Sequence, residues 1–124
     1  LENLTYLVEN LPEVSFHIAA KTNVSDRLEA FKKYDNVTLY TNVHHDDIIE
    51  DLLDQSEIYL DINHWDQVDS IVDRAVEKGK PVFAFDNVVH RAELGASVFS
   101  HQDPEMMVKE IQRQLFGIAV DTVN

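Results

Sequence analysis

The stretch IYLDINHWDQVDSIVDRAVEKGKPVFAFD, Ile58 to Asp86, decides the fold. It opens with the apolar run Ile58 to Ile62, which has the length and composition of a buried strand. It then passes through Asn63-His64-Trp65-Asp66-Gln67 and continues with Val68, Ile71, Val72, Ala75 and Val76 on one face of a helix. Gly79 stops that helix, Pro81 lies just beyond it, and Val82 to Phe85 form a second apolar run. Strand, helix and strand joined by short connections are the unit of a parallel sheet. A polar and aromatic knot where the strand hands over to the helix occupies the place where α/β proteins bind ligands.

The flanking sequence repeats the pattern. Leu1, Leu4, Leu7, Val8 and Leu11 follow helical spacing and stop at Pro12, and Val14 to Ala20 reads as a strand. Ser25 or Asp26 is expected to cap a helix through Tyr34, followed by a short strand from Val37 to Tyr40. Asp46 and Asp47 open a helix carrying Ile48, Ile49, Leu52 and Leu53, with acids placed well for its dipole. Ser97 to Phe99 reads as a last strand. Asp103-Pro104-Glu105 opens the closing helix, with Asp103 as N-cap and Pro104 in the first turn. His17 is expected to be a partly buried strand residue, and Met106, Met107, Ile111 and Leu115 to form the core face of the closing helix. The expectation is one α/β domain over 1–124, a Rossmann-like open parallel sheet with helices on both faces.

Bulk properties bound the function. The chain has 124 residues, a net charge of −13 and no cysteine. Nucleic-acid binding is not expected, because affinity for the phosphate backbone depends on Lys and Arg. Without cysteine, disulfides, zinc–thiolate sites and thiol nucleophiles are excluded. No apolar run has the length of a membrane span, and the expected location is the cytoplasm. His44-His45-Asp46-Asp47 does not read as a metal site, since adjacent histidines point apart and no third ligand has suitable spacing.

Ligands of an open parallel sheet bind beyond the carboxyl ends of the strands. Four such ends occur here, and all are polar: Lys21-Thr22-Asn23, Tyr40-Thr41-Asn42-Val43, Asn63 to Gln67, and Asp86 to Arg91. Neither Gly-x-Gly-x-x-Gly nor the ATP-binding Gly-x-x-x-x-Gly-Lys-Ser/Thr loop is present, so the usual dinucleotide and ATP readings fail.

Residues Ala75 to Ala84 (AVEKGKPVFA) and Val98 to Leu115 (VFSHQDPEMMVKEIQRQL) resemble segments of the C-terminal lobe of GT-B, group-1-type retaining glycosyltransferases. NVTLY, IYLDINH and FAFDN with a following His resemble, more narrowly, the bacterial glycosyltransferases that modify serine-rich surface adhesins. The resemblance implies a nucleotide sugar, a UDP-sugar above all, as substrate, with no metal or other cofactor. It implies donor contacts from Lys21, Thr41, Asn42, Val43, Asn63, His64, Trp65, Asp66, Gln67, His90 and Arg91. Lys21, His90 and Arg91 would meet phosphate, His64 phosphate or sugar, Asp66 sugar hydroxyls, and Trp65 would stack on the ligand or line the cleft. The backbone of Thr41 to Val43 would border the base. Aligned on Ala75, Asp66 stands at the first Glu of the family's pair and Arg74 at the second, which usually holds the donor ribose.

In that family a strand and a Lys/Arg-containing loop precede the opening helix, and an N-terminal lobe carries the acceptor. The expectation is therefore a fragment of a longer enzyme, inactive alone, acting on a protein or glycan acceptor. Phe116 to Val123 (FGIAVDTV) is unusually apolar and is expected to dock on the missing lobe or on a second copy, giving a homodimer. The alternative is a non-catalytic module of the same fold that binds protein substrate or assembles a glycosylation complex. A flavodoxin-like or response-regulator-like domain is a weaker reading, because Ala19-Ala20-Lys21 lacks the acidic pair that the latter requires.

Overall fold

A computed structural model describes residues 1–20, 26–41, 43, 46–64 and 70–117. Helices and parallel strands alternate: α1 (Leu4–Asn10), β1 (Phe16–Ala19), α2 (Asp26–Glu29), β2 (Val37–Tyr40), α3 (Asp46–Gln55), β3 (Tyr59–Asp61), α4 (Ile71–Glu77), β4 (Val82–Phe85), β5 (Ser97–Phe99) and α5 (Pro104–Phe116). Single 3-10 turns cover Ala30–Lys33 and Ala92–Leu94. All strand pairs are parallel. β1 pairs with β2 from Phe16 opposite Val37 to Ala19 opposite Tyr40. β4 lies between β3 and β5, with Asp61 opposite Ala84 and Phe85 opposite Phe99.

The layers follow from the apolar pattern. One face of the strands packs Phe16, Ile62, Phe83 and Phe85 against Leu4, Leu7, Val8 and Leu11 at α1 and Met107, Val108 and Ile111 of α5. The opposite face packs Val82 against Leu53 of α3 and Val72 and Ala75 of α4. β4 is buried at all four positions, which is why it reads as an unbroken apolar run rather than an alternating one. Gly79 adopts φ 74 after α4, a left-handed conformation that lets the chain turn directly into β4.

Several expectations are corrected. The helix from Ser25 or Asp26 through Tyr34 is one short α segment followed by a 3-10 turn, with Ser25 outside the described residues. Asp103 precedes α5, but its side chain makes no capping hydrogen bond; Pro104 alone marks the start. Met107 is fully buried, whereas Met106, one residue or about 100° around the helix, is half exposed at 52%. His17 is exposed, and its Nδ1 lies 2.9 Å from the Tyr40 hydroxyl with the two rings stacked. Among the described residues no helix is long and apolar enough to cross a membrane.

Candidate functional site at the carboxyl ends of the strands

The strongest local feature is Asp61, the last residue of β3. Its side chain is 3% exposed, although its neighbours Leu60 and Ile62 make the strand apolar. A carboxylate in such surroundings needs its lone pairs filled. One oxygen accepts the His90 backbone N–H at 2.8 Å, and the other lies 2.6 Å from His90 Nδ1. The link ties the end of β3 to the segment after β4, and it fixes both the backbone and the ring of His90. With an ionised Asp61, Nδ1 is the nitrogen that carries the proton. Burial first, and the Asp61 charge second, push the neighbouring Tyr59 phenol above its ordinary range.

Two further carboxylate–histidine pairs lie along the same edge. His64, just beyond β3, places Nε2 2.7 Å from Glu2. His101, beyond β5, places Nδ1 2.7 Å from Asp86, which also accepts the His101 backbone N–H at 3.0 Å. The hydrogen bond from His64, helped by Asn87, holds the Glu2 carboxyl below its usual range. His101 does the same to Asp86. Asn3 donates to the His101 carbonyl at 2.9 Å, so the start of the chain is bound into this edge from two sides.

The expected site residues divide as follows. Asn63 and His64 follow the end of β3, and His90 and Arg91 follow the end of β4, its neighbour in the sheet; the Asp61–His90 pair ties the two ends. Arg91 donates to both oxygens of Asp73 in α4, at 2.7 and 2.5 Å, and to Glu93 at 2.7 Å. Thr41 is exposed at the end of β2, while Val43 is buried and donates its backbone N–H to the Ala20 carbonyl at 2.9 Å. Lys21, Asn42, Trp65, Asp66 and Gln67 lie outside the described residues. Arg74 faces α3: its guanidinium donates twice to Glu50, at 3.0 and 2.6 Å, and Lys78 joins the same carboxylate at 2.6 Å. Arg74 and Lys78 of α4 thus form a helix–helix ion-pair cluster with Glu50 of α3.

Sequence reasoning missed Asp61, Glu2 and His101, and it placed Asp86 at a polar strand end without its partner. For Asp61 a signal existed, because a lone acid inside Ile58–Ile62 must find partners. For the other three no local pattern pointed to the pairing, which joins residues 62 and 15 positions apart. Among the described residues no three His, Asp or Glu side chains are grouped to hold a metal ion.

The fold and the sequence both have close counterparts. Glycosyltransferase GlyB of Streptococcus pneumoniae serotype 4 is 40% identical over 117 residues, covering 94% of this chain and 28% of that protein. The UDP-N-acetylglucosamine–peptide N-acetylglucosaminyltransferase stabilizing protein GtfB of Streptococcus agalactiae is also 40% identical, over 119 residues, covering 94% and 26%. The chain thus spans about a quarter of the length of these relatives. Among solved structures, the apo form of glycosyltransferase GlyE from S. pneumoniae superposes with a TM-score of 0.85 at 32% identity, over 92% of this chain and 30% of that one. A GtfA/B complex bound to UDP and GlcNAc superposes with a TM-score of 0.83 at 34% identity, over 95% and 27%. Residues 1–118 match the GftB/GlyA-F C-terminal domain, and the chain belongs to that family.

Proposed function

We propose that this domain is the nucleotide-sugar-binding half of a GT-B glycosyltransferase, acting in the cytoplasm on a protein or glycan acceptor. The observation that carries the reading is the position of Asn63, His64 and His90 just beyond the carboxyl ends of the paired strands β3 and β4, where open α/β sheets hold their ligands. His90, fixed by Asp61, and His64, on Glu2, are the described candidates for contact with donor phosphate or sugar. Lys21, Thr41, Asn42, Val43, Trp65, Asp66, Gln67 and Arg91 complete the candidate set, with the donor, a UDP-sugar, as substrate and no further cofactor. Stabilisation of the departing diphosphate by preorganised donors is the chemistry such a half-site supplies. Relatives that carry glycosyltransferase names support it, as does a similar chain solved in a complex with UDP and GlcNAc.

A specific observation favours a second reading, a non-catalytic module that holds a partner or protein substrate. His64, His90 and Arg91 are each engaged by a carboxylate, and Arg74 stands where a donor-binding Glu is expected. One relative is itself named as a stabilizing protein. The two readings separate in the full-length protein carrying His64→Ala. A donor-binding half loses UDP affinity and turnover with its melting temperature nearly unchanged. A pure scaffold keeps its affinity for partner protein and shows no UDP binding in either form.

A further inference from the structure

We infer that Asp61 is a positioning residue that sets His90 to meet a sugar-ring hydroxyl of the donor rather than its diphosphate; the inference rests on the donor-binding reading above. The first argument is where the ring proton sits. The Asp61 side chain is 3% exposed between Leu60 and Ile62, and its oxygens take the His90 backbone N–H at 2.8 Å and His90 Nδ1 at 2.6 Å. An ionised carboxylate can only accept, so the hydrogen between it and the ring belongs to Nδ1. Neutral His90 therefore carries its lone pair on Nε2, and a lone pair calls for a donor. The hydroxyls of a ribose or a hexose can donate, whereas the oxygens of an ionised diphosphate can only accept.

The surrounding charge supplies the second argument. The cation beside His90 is Arg91, and carboxylates already engage it. It donates to both oxygens of Asp73, at 2.7 and 2.5 Å, and to Glu93 at 2.7 Å. With Asp61, three carboxylates thus accompany one guanidinium in this part of the fold. A phosphate arriving at neutral His90 meets an excess of like charge at short range, and a hydroxyl carries none. Salt does little to relieve this at Asp61, because buried charge is weakly screened.

The double grip on one residue is the third argument. Asp61 holds the backbone and the ring of His90 together, so the ring cannot turn over without leaving a buried oxygen unfilled. Orientation and tautomer are therefore set before any ligand arrives, which is what a reading residue needs. Asp61→Asn should invert the assignment. The His90 backbone N–H can only donate, so the amide oxygen stays on it and the amide NH2 faces Nδ1. Nδ1 must then accept, and the ring proton moves to Nε2.

Nitrogen NMR of the histidine rings in the full-length protein at neutral pH tests this, with UDP, UDP-N-acetylglucosamine and pyrophosphate as probes. In the free protein, His90 Nδ1 should resonate as a protonated nitrogen and Nε2 as an unprotonated one. Nucleotide should move Nε2 toward the hydrogen-bonded range, and pyrophosphate should not. A shift complete with UDP assigns the hydroxyl to the ribose; one that appears only with UDP-N-acetylglucosamine assigns it to the transferred sugar. A protonated Nε2 in the free protein, or an equal shift with pyrophosphate, would overturn the inference. Nucleotide-dependent changes at His64 with His90 Nε2 unmoved would also overturn it, while leaving the donor-binding reading in place. No change anywhere in the protein removes both together. In Asp61→Asn, UDP-N-acetylglucosamine should bind roughly three- to tenfold more weakly, and pyrophosphate no more weakly than in the wild type. Equal weakening of the two would make Asp61 merely structural and overturn the inference; should this variant not fold, the wild-type spectra decide.

Discussion

A carboxylate at 3% exposure, held by a backbone N–H and a histidine nitrogen, is costly to disturb because a buried polar group that loses a hydrogen bond bears its desolvation cost. Asp61→Ala should therefore destabilise the protein by about 3 kcal/mol, and Asp61→Asn by less, since the amide can still fill one of the two bonds. Denaturant unfolding measures both, and equal values would mean that the pair contributes little. At the more exposed Glu2 the informative quantity is titration. Its carboxyl is held down chiefly by the hydrogen bond from His64, so in His64→Ala its midpoint should rise toward the ordinary 4.5, read by carbon NMR of the side chain. Glu2 and Asp86 are lowered in the folded state, so their contribution is full above their ordinary values near 4.5 and 3.8 and is lost as pH falls through the folded midpoints. Stability should fall at acid pH below about 4.5, and less steeply in the His64→Ala variant.

At the scale of elements, burial decides which substitutions matter. Val72 is 1% exposed on the sheet-facing stripe of α4, so Val72→Asp places a charge in a layer with no partner and should cost about 4 kcal/mol or more. Met107 and Met106 make a sharper pair on α5. Met107→Ala should cost about 3 kcal/mol, whereas Met106→Ala should stay within about 0.5 kcal/mol. A thermal unfolding series of the three variants checks this, and equal costs for the two methionines would contradict the observed rotation of α5. Much at this scale was legible in the sequence. Val37–Tyr40, Val82–Phe85 and Ser97–Phe99 are apolar runs bounded by turn residues, and the strands have those bounds. What sequence left open depends on a few degrees of helix rotation or on distant partners. Neighbouring methionines both look apolar, and periodicity places the centre of a helix face better than its rim. Likewise, nothing local to His64 or His101 announces Glu2 or Asp86, because the pairing is created only when strand ends and the chain start meet.

For the whole molecule, the chain accounts for only about a quarter of the relatives it matches, and glycosyl transfer requires donor and acceptor to be held together in reactive geometry. The domain alone should therefore release no UDP from UDP-glucose, UDP-galactose or UDP-N-acetylglucosamine in an acceptor-dependent manner. Release that vanishes with His64→Ala would mean a self-sufficient active site. Whether the carboxyl ends of β3 and β4 hold a nucleotide diphosphate is decided by titrating UDP into the isotope-labelled full-length protein and following its amide and histidine resonances. Saturable shifts centred on Asn63, His64 and His90 are expected, with a dissociation constant on the order of a millimolar or tighter. Those resonances remaining unmoved at several times that concentration, on the order of 5 mM UDP, would contradict it and leave the scaffold reading in its place.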